Sequence, residues 1–165
     1  MSEAPELRLR PAVRAVILDP ASRTLLVRFA FPDRVVWACP GGGMEPGESP
    51  RDTIIRELAE ETGLVVTDPG PPIWTRTHVI PLFGGAWDGQ SETFYLVRTE
   101  AFEPSPHFSA EALAAEYVTG LRWWTSAELA AAGADGVVFA PRALPSLLEP
   151  LRRGMVPSAP IEVGI

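Results

Sequence analysis

Residues 42–64 read GGMEPGESPRDTIIRELAEETGL, and this stretch decides the fold. Its second part has the features of a helix. Ser49 is a preferred N-cap residue, Pro50 suits the first helical position, and Gly63 suits the left-handed position that closes a last turn. The pattern therefore predicts a helix from about Pro50 to Thr62.

Three carboxylates share one face of this predicted helix. Glu57, Glu60 and Glu61 stand at positions i, i+3 and i+4, which are neighbours on a helix surface. Like charges at this spacing cost roughly 0.2–0.5 kcal/mol per pair, so the cluster does not serve helix stability. Oxygen ligands suit hard divalent cations, which indicates Mg²⁺, with Mn²⁺ as a plausible substitute. Arg56 can reach Glu60 one turn later and hold one carboxylate in place.

A glycine-rich segment precedes the helix. Residues 39–43 read CPGGG, and such a backbone can approach a metal ion or a phosphate closely. Glu48 adds a fourth carboxylate just before the N-cap. A solvated acidic face is the ordinary explanation for glutamates on a helix. Four glutamates at these offsets beside a glycine loop favour a functional site instead.

The spacing as a whole resembles the Nudix box, the signature of the Nudix hydrolases. The chain agrees with the box at every specified position: Gly42, Glu48, Arg56-Glu57-Leu58, Glu60-Glu61 and Gly63-Leu64. The resemblance implies metal-dependent hydrolysis of a pyrophosphate bond in a nucleoside diphosphate linked to another moiety. Nucleoside triphosphates, ADP-ribose or nucleotide sugars, and dinucleoside polyphosphates are all candidate substrates.

The resemblance also implies roles for the box residues. Glu57, Glu60, Glu61 and the backbone of Gly42 would hold the metal. Glu57 would be the best candidate for the base, and Arg56 would orient the glutamates. Glu48 would bind the metal directly or through water.

Outside the box, three residues are candidates for substrate binding. Arg28 ends a predicted strand at a place where the family can present an arginine to phosphate, although a solvated strand-end arginine is an equal alternative. Trp37 and Phe94, like Phe29, could stack a nucleobase, although aromatic residues in strands are more often part of the core.

The family often adds a glutamate from outside the box, which completes the metal site or acts as the base. Glu92, Glu111 and Glu116 are the candidates here, and the sequence does not choose among them.

Composition limits the class of protein. The 165 residues fit a single domain, 1–165, with a core at about 8–153, and no apolar run is long enough to span a bilayer. The net charge of −7 argues against a nucleic-acid surface, so we expect a small nucleotide substrate and no membrane partner, and we leave a homodimer open. A single cysteine, Cys39, and the lack of a signal pattern predict a cytoplasmic protein.

The order of elements predicts an α/β protein. It resembles the Nudix fold, a mixed β-sheet sandwiched between α-helices. Besides the box helix we expect a helix with Ser126 as its N-cap, a last helix at 141–153, and a tail without regular structure. Strands are expected at 9–18, 24–29, 35–38, 64–67, 73–80, 92–97 and 121–124.

Two other functional classes stay open. Isopentenyl diphosphate isomerases share the fold and use a strand cysteine, and Cys39 lies at a suggestive place. A non-catalytic Nudix module that binds a nucleotide is the other class. Both typically have a degraded box, whereas the box here is intact.

Overall fold

One mixed β-sheet organises the molecule. The computed structural model describes residues 3–107 and 109–165. Four α-helices are found among these residues: α1 (Pro50–Thr62), α2 (Ala110–Ala115), α3 (Ser126–Ala134) and α4 (Leu144–Arg152). The strands are β1 (Leu9–Leu18), β2 (Thr24–Ala30), β3 (Val35–Ala38), β4 (Gly41–Gly43), β5 (Pro72–His78), β6 (Gly89–Arg98), β7 (Val118–Trp124), β8 (Phe139–Ala140) and β9 (Ile161–Glu162).

The sheet has a parallel pair at its centre. β1 runs parallel to β6 along its whole length, from Leu9 opposite Gly89 to Leu18 opposite Arg98. The main path through the sheet is β8-β3-β2-β1-β6-β5-β9, while β4 pairs with β1 and β7 pairs with β2. The glycine strand β4 therefore lies beside β1, on the opposite side from β6 and β5.

Helices cover both faces of the sheet. On one face Ile54 and Leu58 of α1 pack in a buried cluster with Val13 and Ile17 of β1. On the other face the leucines of α3 and α4 pack in a second cluster with Val16, Leu18, Trp74 and Phe94. The expected fold class, a mixed sheet sandwiched between helices, is confirmed.

The box helix α1 begins and ends at the predicted residues. Ser49 accepts a hydrogen bond from the Asp52 amide, and Asp52 accepts one from the Ser49 amide, so that both orphan amides are satisfied. Gly63 closes the helix with φ 80°, a left-handed conformation that favours glycine.

Several predicted boundaries are wrong. Residues 64–67 form no strand; Leu64 and Val66 pack against the α1 cluster, so their alternation reflects burial rather than pairing. Thr125, not Ser126, caps α3, and the last helix begins at Leu144. The predicted glycine loop includes strand β4, and the tail contributes β9.

Within the described residues, no helix has both the length and the apolar character needed to cross a membrane.

Candidate active site

The box helix and the glycine strand border a cleft of about 760 Å³. This volume is in the range of small-molecule sites. Gly41–Gly43 and Glu57, Glu60 and Glu61 line the cleft at the α1 end, and Arg76 and Glu92 line it on the side of β5 and β6.

At the α1 end, a guanidinium gathers three carboxylates, and we call these residues the Arg56 cluster. The Nε of Arg56 donates to Glu48 at 2.7 Å, and its Nη1 donates to Glu57 at 2.9 Å and to Glu60 at 3.0 Å. Nη2 also donates to the carbonyl of Gly43 at 3.2 Å. The hydrogen bond from Arg56 lowers the pKa of Glu48 to about 2. The ion pair from Arg56 to Glu60 is the i,i+4 contact that the sequence predicted.

Glu57 lies directly against the glycine strand. A Cβ atom on Gly42 would lie 2.5 Å from the Glu57 carboxyl carbon, so a larger residue there would displace this carboxylate. Burial raises the pKa of Glu57, although Arg56 acts in the opposite direction. A carboxyl group whose pKa is raised by burial is a candidate for proton transfer.

Glu61 is the most buried box glutamate, with 5% of its surface exposed. It accepts a hydrogen bond from the Gly41 amide at 3.1 Å. Burial raises its pKa to about 8, despite the opposing charge of Arg14. Glu61 therefore ties α1 to β4 from inside the cleft.

The donor atoms of the box carboxylates suit a divalent cation, but the present arrangement of these side chains does not. Their donors are all oxygen, as Mg²⁺ and Mn²⁺ prefer, and Gly42 leaves space for Glu57. Among residues 3–107 and 109–165, however, no three His, Cys, Asp or Glu side chains are arranged to hold a metal ion. The reason is visible in the hydrogen bonds, since Glu48, Glu57 and Glu60 all point to Arg56.

On the sheet, a carboxylate gathers two guanidinium groups, and we call these residues the Glu92 cluster. Arg14 Nε donates to Glu92 at 2.7 Å, and Arg76 Nη1 donates to its other oxygen. Burial alone would raise the pKa of Glu92, but Arg14 and Arg76 outweigh it and lower the pKa. Arg14 also donates to the carbonyl of Cys39 at 3.3 Å, which links the cluster to the glycine loop.

The three candidate glutamates outside the box differ in their position relative to the cleft. Glu92 lines the cleft, but both its oxygens are paired with arginines. Glu116 also lines the cleft and lies close enough to affect Glu61 and Arg10 electrostatically. Glu111 lies in the first turn of α2 and is not among the residues that line the cleft. Glu116 is therefore the best placed of the three.

The predicted substrate-binding residues are not brought to the cleft. Phe94 is 1% exposed and packs on Trp74, so it has no free face for a base. Trp37 packs edge-on against Trp124, in the cluster under α3 and α4. Arg28 donates to the Thr119 hydroxyl at 2.9 Å on the surface. These three placements correct the expectation drawn from the strands.

Other aromatic residues line the cleft instead. Phe29 stacks on Phe31 with ring centroids 5.9 Å apart, and Tyr117 packs on Phe31. Arg14 lies over the ring of Phe29. Sequence reasoning considered Phe29 but missed Phe31 and Tyr117, because a loop aromatic carries no periodic signal.

The sequence analysis also missed the polar residues of β5. Trp74, Arg76 and His78 lie on one face of the strand; the first packs in the core, and the other two line the cleft. Residues 74–78 read WTRTH, and this alternation indicates a strand with Trp74, Arg76 and His78 on one face. Which neighbour that face meets depends on the pairing of β5 with β6.

Cys39 lies in the core rather than on the cleft surface. It is fully buried, and burial raises the pKa of its thiol to about 12. A thiol in this state is a poor proton donor or acceptor near neutral pH, which is unfavourable for the isomerase alternative.

The chain is similar to known proteins along much of its length. The Nudix hydrolase 25 of Arabidopsis thaliana is 41% identical over 73 residues, which cover 38% of this chain and 41% of that protein. An RNA pyrophosphohydrolase of Gluconacetobacter diazotrophicus is 30% identical over 113 residues, which cover 59% of this chain and 67% of that protein. The match thus spans less than half the length of the Arabidopsis relative.

A solved structure shares the fold. The NUDIX domain of Shewanella oneidensis NrtR, determined with ADP ribose, superposes with a TM-score of 0.63 at 21% identity and covers 93% of this chain and 92% of that chain. At this identity the likeness shows the fold alone. The family model for the NUDIX domain matches residues 8–145, which include the box, the glycine strand and the Glu92 cluster. The chain belongs to the Nudix family.

Proposed function

We propose that this protein hydrolyses a pyrophosphate bond in a nucleoside diphosphate linked to another moiety, with the help of a divalent cation. The observation that carries the proposal is the Arg56 cluster beside the glycine strand: three glutamates converge within hydrogen-bond distance of one guanidinium, next to a backbone that only glycine permits. Membership of the Nudix family supports the same chemistry.

Glu57, Glu60, Glu61 and the carbonyl of Gly42 are the groups that would hold the cation. Mg²⁺ is the proposed ion and Mn²⁺ its substitute, since the donors are oxygen. When bound, the cation supplies neutralisation of the charge that builds on the phosphate oxygens. To hold the cation, Glu57 and Glu60 would have to turn away from Arg56, while Arg56 would keep its bond to Glu48.

The chain's own residues supply the proton transfer and the positioning. Glu57 accepts the proton of the attacking water, because burial raises its pKa toward the working range of a general base. Glu116 is the alternative base, since it lines the same cleft from the turn after α2. Arg56 orients the glutamates through its bonds to Glu48 and to the carbonyl of Gly43.

The substrate is proposed to be a small nucleotide derivative. One relative is named RNA pyrophosphohydrolase, and one structural neighbour was solved with ADP ribose. For this chain a net charge of −7 argues against a broad nucleic-acid surface, although a cleft with arginines can hold a phosphorylated end. We also propose a cytoplasmic location, which the single buried cysteine supports.

The test is a screen with the purified protein and Mg²⁺. Nucleoside triphosphates, ADP-ribose, nucleotide sugars and dinucleoside polyphosphates are incubated separately, and chromatography shows which bond breaks. We expect turnover of at least one compound, and we expect it to stop when the cation is chelated. Equal turnover in excess chelator would contradict the metal role. Binding of a nucleotide without any turnover would favour the non-catalytic module.

Glu57→Gln and Glu103→Gln form a matched pair for the same screen. Glu103 lies on an exposed loop and does not line the cleft. Loss of turnover in the first variant only would assign the activity to this cleft.

A further inference from the structure

We propose that Arg76 and His78 form a phosphate subsite of the cleft, which binds a phosphate of the substrate other than the two that flank the cleaved bond. The inference rests on the proposed function and names a feature of its substrate. It concerns β5, which lies three strands away from the glycine strand in the sheet.

The first support is a pair of buried nitrogens that lack partners. Arg76 is 7% exposed, and its Nε makes no hydrogen bond within the described residues. The Nδ1 of His78 is likewise buried and unpaired there. Buried polar atoms nearly always have a partner, so an unpaired pair at one place calls for an explanation. Both side chains line the cleft, where a bound anion can supply that partner.

The second support is an arginine without an ion pair. Three arginines, Arg10, Arg14 and Arg76, line this part of the cleft; Arg14 and Arg76 are paired with Glu92, and Glu57 and Glu116 act on Arg10 only at longer range. Arg10 is bonded only to the neutral amide of Gln90, at 3.2 Å, and lies over the ring of Phe83. A guanidinium that is partly removed from water and bonded to no carboxylate, as in Arg10, favours the binding of an anion.

The third support is the position of the subsite along the sheet. Gly42 of β4 is opposite Val13 of β1, Val13 is opposite Thr93 of β6, and Thr93 is opposite Thr75 of β5. With neighbouring strands about 4.8 Å apart, β5 lies about 14 Å from the glycine strand at this level. Arg76 extends back over Glu92 toward Arg14, on the face that borders the cleft. A group bound by Arg76 and His78 is therefore displaced from the pyrophosphate that the box would hold.

Phosphate is the anion that these groups suit. A guanidinium presents a planar set of donors to phosphate oxygens, and an imidazole adds a further donor. In the proposed substrates this phosphate has two sources: an additional phosphate of a polyphosphate chain, or a monophosphate on the moiety beyond the cleaved bond.

The first experiment measures binding without catalysis. Inorganic tripolyphosphate is titrated calorimetrically into the protein in buffer freed of divalent cations. Losing one hydrogen bond to the charged phosphate should weaken binding about tenfold or more in Arg76→Gln and in His78→Ala. Arg122→Gln is the matched control, because this arginine lies on β7 beside Glu128 and does not line the cleft. Equal binding by all four proteins would overturn the subsite.

His78→Ala guards against a folding artefact, because it leaves the ion pair of Arg76 with Glu92 intact. If Arg76→Gln fails to fold, His78→Ala still decides the question. A folded His78→Ala protein that binds tripolyphosphate as tightly as the unsubstituted protein would overturn the inference.

The second experiment identifies the source of the phosphate. One arm compares kcat/KM for a nucleoside triphosphate and the matching diphosphate; the other compares ADP-ribose 1″-phosphate and ADP-ribose. In the arm that holds the true source, the variants should lose about tenfold or more on the phosphate-bearing compound alone. Equal losses on both members of each pair would overturn the inference.

The two proposals can fail separately. Tripolyphosphate binding that depends on Arg76 and His78, with no turnover of any compound, would contradict the proposed hydrolysis and leave the subsite standing. Turnover that does not depend on Arg76 or His78 would support the proposed hydrolysis and contradict the subsite.

Discussion

The cleft contains two ion clusters of opposite composition. In the Arg56 cluster one guanidinium, with 23% of its side chain exposed, binds three carboxylates. In the Glu92 cluster one carboxylate, with 5% of its side chain exposed, binds two guanidinium groups. Both clusters border the same cleft, and they differ in sign and in burial.

This difference indicates which charged groups can exchange their partners. Charges interact more weakly where water is near, so Glu60, with 30% of its side chain exposed, can exchange the guanidinium for a divalent cation at lower cost than a group of the Glu92 cluster. The Glu92 cluster is almost removed from water, and a charge left unpaired there would be costly. The Arg56 cluster is therefore the reactive one, and the Glu92 cluster is a fixed part of the fold.

Glu92→Gln is the strongest test of the difference between the two clusters. The substitution leaves Arg14 and Arg76 without a carboxylate, and we expect the free energy of unfolding to fall by about 3–5 kcal/mol. Denaturant unfolding followed by circular dichroism measures the change. Glu128→Gln is the matched control, because its ion pair with Arg122 is exposed and glutamine can still cap α3; its cost should stay below about 1 kcal/mol. Similar costs for both variants would show that burial does not distinguish the clusters.

The second prediction concerns the reactive cluster. Glu57→Gln should lower turnover at least ~10²-fold, because it removes a charge beside the reacting phosphate and the proposed base. Glu61→Gln should lower turnover by a similar factor, since Glu61 is a proposed metal ligand.

Stability separates catalysis from folding in these two variants. Thermal unfolding without divalent cations should be unchanged or occur at a higher temperature in both variants. Glu57→Gln removes a charge and relieves repulsion among the box glutamates, and Glu61→Gln replaces a carboxyl group whose pKa of about 8 keeps it mostly uncharged at neutral pH. Added Mg²⁺ should raise the melting temperature of the unsubstituted protein more than that of Glu57→Gln. Unfolding of both variants would instead assign these glutamates a structural role.

The two clusters also differ in how far the sequence predicts them. The Arg56 cluster depends on contacts within one helix and its preceding loop, so the spacing of Arg56 and Glu60 predicted their contact, although not the bonds of Arg56 to Glu48 and Glu57. The helix ends were predicted for the same reason, since Ser49 and Gly63 act locally.

The Glu92 cluster depends on contacts between distant strands. Arg14 and Glu92 are 78 positions apart and meet only because β1 pairs in parallel with β6. The sequence left Glu92 as one of three equal candidates for the same reason. Phe94, two residues later on the same strand, was expected at the substrate and lies in the core, because its face of the sheet passes under α3 and α4. Alternation predicts a face of a strand, but it does not say whether a helix or a cleft lies over it.

The third prediction concerns the stability of the Glu92 cluster at low pH. The pKa of Glu92 is lowered in the folded protein, so its charge stabilises the fold above the unfolded pKa of about 4.3 and this stabilisation is lost as pH falls through the folded value. The unsubstituted protein should therefore lose stability in acid more steeply than Glu92→Gln. The effect should be smaller than that of the substitution, because the lowered pKa keeps Glu92 charged over part of this pH range. Thermal unfolding from pH 6 to pH 3 measures both curves, and parallel curves would contradict the lowered pKa.

The smallest expected effect is at Cys39, which is hydrogen-bonded to the Glu92 cluster through its backbone. Its carbonyl accepts from Arg14, and this bond survives in Cys39→Ala. The thiol packs in the core and is uncharged near neutral pH, since burial raises its pKa to about 12. Removing one sulfur atom should cost about 1 kcal/mol of unfolding free energy, with turnover of a pyrophosphate substrate largely kept. Parallel unfolding and turnover measurements separate this from the isomerase alternative, in which the same sulfur would transfer a proton. A wild-type protein that isomerises a prenyl diphosphate, and a folded Cys39→Ala protein that does not, would contradict the proposed hydrolysis. The reacting group would then be the thiol of Cys39 and not the glutamates of α1.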